Sequence, residues 1–175
     1  MNQESLATLD RIIQEASLEL FAAYQVQLDE GSADGGSADD AYAATLGFTH
    51  TVIKGALIIT VCRDLVIHSL PRQITVPDAG MVADWTGELA NQLMGRIKKK
   101  FFNYGLDVTL STPVVFGGRG LNRFPRQTAV CRTCCFGHGT GQLEVVFQAD
   151  VGNGFEFVES ALAGSVMTEG DVALF

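Results

Sequence analysis

The sequence predicts a two-layer α+β fold, an antiparallel-rich sheet with two long helices packed on it. Three observations carry this reading. Residues 4–27 and 78–104 repeat apolar side chains at helical spacing. Five shorter runs are rich in apolar and β-branched residues, as strands are. Those strands are joined mostly by turns, which favours antiparallel neighbours over parallel ones.

In chain order, Leu6, Leu9, Ile12, Ile13, Ala16, Leu20, Phe21 and Tyr24 form one stripe of the first helix, with Glu15 and Glu19 off it. Residues 29–41, DEGSADGGSADDA, read as a solvated acidic loop. A calcium-binding Gly/Asp repeat is the functional alternative, and this composition suits an insertion better. Strands are expected at 44–53 and 56–62, with Lys54-Gly55 as a tight turn. GALIITV is almost continuously apolar, so that strand is placed at the sheet centre. Arg63–Leu70 reads as a short helix stopped by Pro71. Pro77 and Asp78 open the long helix and Gly105 ends it. Strands follow near 106–116, 127–136 and 142–150, the first bounded by a turn at GGRG, 117–120, and the last two separated by GHGTG. One domain is expected over residues 1–153, with 154–175 as a tail of unassigned structure.

Composition excludes several classes of function. With 175 residues, the chain is long enough to bury a core of its own. Its net charge of −8 argues against a nucleic-acid partner, which calls for a basic surface. No apolar run reaches membrane-spanning length and the N-terminus lacks signal-peptide character. Four cysteines without an export signal imply free thiols in a reducing cytoplasm.

Asp84, Glu88, Asn91 and Gly95 are the candidate site. Their spacings of four, three and four residues put them on one helical face. At 100° per residue they span a stripe about 60° wide. Val82, Leu89, Ala90, Leu93, Met94, Ile97 and Phe101 centre on nearly the opposite side. A carboxylate and an amide are thus displayed together above an anchored helix. Pro113 follows beyond the next turn and strand.

An acidic residue, Glu-x-x-Asn on an amphipathic helix, and a Pro after the following strand resemble the CheC-type phosphatases of bacterial chemotaxis. Glu-Leu-Ala-Asn followed by Gly95 is similar to the single-site CheX branch. A second Glu-x-x-Asn at a repeat interval, the mark of the two-site branch, is absent. The resemblance covers roughly residues 5–150. It implies a CheC-like fold and hydrolysis of the aspartyl-phosphate of a CheY-like response regulator. Asn91 would orient the attacking water, because an amide donates and accepts hydrogen bonds without titrating. Glu88 would dock the regulator by pairing with its lysine. Mg2+ would sit on the regulator, leaving this chain without a cofactor. A homodimer with sheets joined edge to edge is also implied, and QLEVVFQA looks like an edge strand poorly protected by charge. The competing function is a non-catalytic module that binds a receiver domain or another partner.

The neighbouring residues each have two readings. Asp84 is a partner-binding residue or a plain helix-face charge. Gly95 costs about 1 kcal/mol against Ala in a helix, explained by close approach of a partner or by tight packing on a strand. Lys98, Lys99 and Lys100 are a solvated last turn favoured by the helix dipole, with Lys98 also a candidate for steering an acidic partner. Cys131-x-x-Cys134-Cys135-x-x-His138 offers zinc-type ligands. On a strand, however, Cys134 faces opposite to Cys131 and Cys135, so buried thiols and no metal are expected.

Overall fold

The computed structural model describes residues 1–31, 40–71, 74, 76–119, 121, 128, 130–139 and 141–159. The elements among them are α1 (Gln3–Ala23), β1 (Asp29–Glu30), β2 (Ala41–Thr49), β3 (Ile53–Cys62), α2 (Arg63–Ser69), α3 (Ala79–Phe102), β4 (Thr109–Leu110), β5 (Val114–Gly118), β6 (Val130–His138) and β7 (Gly141–Val151). All pairings are antiparallel, in the order β1-β6-β7-β3-β2-β4, with β5 continuing the edge beside β2. The α+β two-layer expectation holds, with α2 as a short third helix. No helix among the described residues is long and apolar enough to cross a membrane.

Both long helices start where a side chain satisfies the first turn. The Asn2 carboxamide accepts from Ser5 N–H at 2.8 Å, and the Asp78 carboxylate accepts from Met81 N–H at 2.8 Å. α1 stops four residues short of expectation. Gln25 takes a left-handed φ of 63° and Val26 N–H reaches back to the Phe21 carbonyl, which closes the helix. Gly105, at φ 70°, does the same for α3 as expected. The helices run antiparallel: Tyr24 meets Trp85 and Gln92 at one end, and Arg11 meets Tyr104 at the other. Their facing stripes close over the inner sheet face, where Leu9, Ile13, Leu20, Leu93, Ile97 and Phe147 are essentially buried.

Three turn assignments change. The β2–β3 turn is at residues 50–52, closed by His50 N–H to the Ile53 carbonyl at 2.8 Å, not at Lys54-Gly55. Gly55 lies inside β3, between Phe48 and Ala149. A Cβ there would stand 2.8 Å from the Ala149 Cα and overlap the Gln148 carbonyl oxygen, so the glycine answers to close backbone approach. The strand expected at 106–116 is split. Pro113 has no N–H to donate, and Ser111 bridges the gap through its hydroxyl to Gly47 N–H at 2.8 Å. In GGRG, Gly117 and Gly118 are strand residues, the first leaving room for the Tyr42 ring; Gly120 lies outside the described residues. Gly137, His138 and Gly141 likewise belong to strands, so three of the five residues of the expected GHGTG connection are strand residues; Thr140 lies outside the described residues.

QLEVVFQA is not an edge. It lies in β7, paired with β6 on one side and β3 on the other. Its poverty of charge reflects a strand covered along both sides. Of the acidic loop, Asp29 and Glu30 form β1, while residues 32–39 lie outside the described set. Past residue 153, packing continues. Phe155 and Phe157 join the core, and the Phe157 ring sits 5.5 Å from Phe101 and 5.2 Å from Tyr104. Residues 160–175 lie outside the described set.

Candidate functional site

The α3 stripe is where the sequence puts it. Asp84, Glu88, Asn91 and Gly95 are all exposed, while Val82, Thr86, Leu89, Leu93 and Ile97 are buried beneath them. Gly87 lets the helix settle on the sheet edge: a Cβ there would lie 3.1 Å from Val115 Cγ2 and 3.8 Å from Pro113 Cγ. Val115, with Pro113 beside it, therefore sets the height of the helix one residue before Glu88. At Gly95 a Cβ would meet nothing within 4 Å. That removes strand packing as the reason for its missing side chain.

The two central side chains are held differently. Among the described residues, the Asn91 amide has no hydrogen-bond partner. Glu88 is tethered: Gln92 Nε2 donates to its Oε1 at 2.8 Å. Gln92 Oε1 in turn accepts from the Tyr24 hydroxyl at 2.7 Å. The sequence reading missed both Gln92 and Tyr24. The spacing of Glu88 and Gln92, one turn apart, was the available signal; Tyr24 comes from the C-cap of α1 and left none.

Of the lysines, Lys98 pairs with Asp107 at 2.9 Å on the surface beyond the stripe. Lys100 is not a plain solvated charge. It bridges to α1 through Glu15 at 2.9 Å and Glu19 at 2.8 Å. Burial alone would lower its pKa, but the hydrogen bonds to Glu19 and Glu15 outweigh that and raise it. The bond from Lys100 lowers the pKa of Glu15.

The cysteine segment splits across the sheet. Cys134 is buried beneath the helices opposite Val145 as expected, but Cys131 is exposed and Cys135 half-buried, so the burial expected of the strand cysteines holds fully for Cys134 alone. Burial, followed by the nearby Asp10 charge, pushes the Cys134 thiol up to about 11. Among the described residues, no group of three or more His, Cys, Asp or Glu side chains could hold a metal ion. On the same strand Arg132 forms a two-pronged pair with Asp10 of α1, one prong at 2.6 Å, which locks α1 to the sheet.

A two-layer α+β domain that shows the solvent a carboxylate and an amide three residues apart on its long helix has the features that the resemblance to the CheC type implies. The sequence model described as chemotaxis phosphatase CheX matches residues 42–135, from β2 into β6 and across the whole stripe. The chain belongs to the CheX family. No curated protein matches it. Solved structures do. Chemotaxis protein CheX from Vibrio vulnificus is 17% identical, with 81% of this chain and 96% of that chain covered and a TM-score of 0.70. CheX from Desulfovibrio desulfuricans is 16% identical, covering 82% and 99%, with a TM-score of 0.69. The CheX–CheY–BeF3–Mg2+ complex from Borrelia burgdorferi is 12% identical, covering 80% and 96%, with a TM-score of 0.63. At these identities the likeness is one of fold.

Proposed function

We propose that this chain hydrolyses the aspartyl-phosphate of a CheY-like response regulator, with Asn91 orienting the attacking water and Glu88 docking the regulator. The observation that carries the reading is the pairing of a free Asn91 amide with a tethered Glu88 carboxylate on one exposed helical face. An acyl phosphate already has a good leaving group. What it lacks is a water in line with phosphorus, and a free amide, donor and acceptor at once, can supply that position. Placing that water accounts for a large share of the barrier. The bare backbone at Gly95 and the Asp84 carboxylate extend the footprint along the stripe, with Lys98 at its rim. Mg2+ belongs to the regulator in this scheme, and the reaction takes place in the cytoplasm where regulators are phosphorylated. The complex of a CheX with CheY from Borrelia burgdorferi supports a receiver domain as the partner.

Phosphate release tests this. Isolated receiver domains are phosphorylated, and decay is followed with and without the protein. The expected result is faster decay for the cognate receiver. A receiver that binds and keeps its phosphate at the unassisted rate would leave a non-catalytic binding module.

The proposal includes a homodimer joined at a sheet edge. Because β7 is internal, the joining strand must be another. β6 is the better edge: β1 covers only Phe136 and Gly137, so the outer side from Val130 to Cys134 carries no strand among the described residues. The opposite edge is broken at Ser111–Pro113. Light scattering on the full chain is expected to give the mass of two chains, and a monomer at all concentrations would refute the pairing.

A further inference from the structure

The Glu88 tether is one link of a longer chain of contacts. The Tyr24 phenol is the donor in its bond to Gln92, because an amide oxygen can only accept. That fixes the amide: Oε1 faces Tyr24 and Nε2 faces Glu88. Tyr24 is itself braced, its ring edge-on to Trp85 at 5.2 Å and 79°. The Trp85 indole N–H donates to Ser69 Oγ at 3.0 Å, and the Ser69 hydroxyl donates to the Val66 carbonyl at 2.8 Å. The C-cap of α1, the end of α2 and the middle of α3 thus converge on one exposed carboxylate. Neither Tyr24 nor Gln92 is fully exposed, whereas Glu88 is open to solvent. Among the described residues, nothing else holds Glu88.

We propose that Gln92 is a positioning residue of this site: clamped by Tyr24, its amide holds one oxygen of Glu88 so that the other is presented in a single conformation to the cationic group of the docking protein. The proposal rests on the phosphatase reading above. A free glutamate on a helix surface samples several rotamers and must be ordered on binding. A tethered one has already lost that freedom, so the tether strengthens association and leaves the hydrolytic step alone.

Three variants test this, Gln92→Ala, Gln92→Met and Tyr24→Phe. Ala and Met are good helix formers, and Phe keeps the ring against Trp85, so all three should fold. With the phosphorylated receiver, both Gln92 variants are expected to raise KM about five- to tenfold with kcat within about twofold. Tyr24→Phe should move KM the same way by less. Loss of kcat at constant KM, or a wild-type KM in both Gln92 variants, would overturn the proposal. A measurement on the protein alone separates this from the function. In NMR spectra the Gln92 side-chain amide protons of the wild type should shift on Glu88→Ala and on Tyr24→Phe; no response to either would refute the tether. Turnover that depends on Asn91 but not on Gln92 removes this inference alone. A protein inert toward every receiver removes the functional reading and this inference with it.

Discussion

Asn91→Ala is expected to give a folded protein that no longer speeds the loss of phosphate from its regulator. The side chain is exposed and, among the described residues, bonded to nothing, so removing it opens no cavity and strands no partner. Alanine is the better helix former by up to about 0.7 kcal/mol, so melting should be unchanged or slightly higher. The cost falls on the reaction. Misplacing the attacking water should slow turnover at least about a hundredfold, near 2.7 kcal/mol of transition-state stabilisation. Asn91→Asp should fare no better, because a negative charge beside a phosphoryl group repels it and the amide donors are gone. Phosphate-decay curves with each variant provide the check. An alanine variant as fast as the wild type would show that water is placed by something else.

Gly55→Ala is expected to be strongly destabilising. Its Cβ would meet not a movable side chain but the β7 backbone, at the Gln148 carbonyl and the Ala149 Cα. β3 and β7 would have to separate at the centre of the sheet. A loss of about 3 kcal/mol or more follows, a large part of the 5–15 kcal/mol that holds a domain folded. Gly95→Ala is the natural contrast, since there the methyl enters open space and the helix gains up to about 1 kcal/mol. Urea titrations of the two variants should move in opposite directions. A Gly55→Ala midpoint near that of the wild type would mean that the two strands can part cheaply.

These two glycines show what the sequence can and cannot disclose. Gly55 follows Lys54 between two apolar runs and reads as a turn, because local pattern has no access to a strand that arrives from residues 141–151. For the same reason QLEVVFQA passed for an edge. A strand covered on both sides and an edge with few charges share one composition, and only the pairing partner separates them. Periodicity reported the helices well, since helical packing repeats within the element itself. The α3 stripe was legible for that reason, spacing alone placing Asp84, Glu88, Asn91 and Gly95 on one exposed face. The clamp behind it was not. Tyr24 caps the end of α1, Trp85 lies in α3 and Ser69 ends α2, and their meeting depends on how α1 and α2 lie against α3.

The central seam of the sheet has a kinetic consequence. β3 pairs with β7, so Ile53 must find Val151 with α3 and most of the remaining strands lying between them in the chain. Contacts so distant in sequence form late, because the loop must close before they return any energy. On the ribosome, β3 emerges well before the strand that will pair with its open backbone edge. The backbone from Ile53 to Val61 must wait for β7 before that side is paired. Refolding of this domain should accordingly be slow for its size, and the interval before β7 emerges is when the growing chain most needs a chaperone.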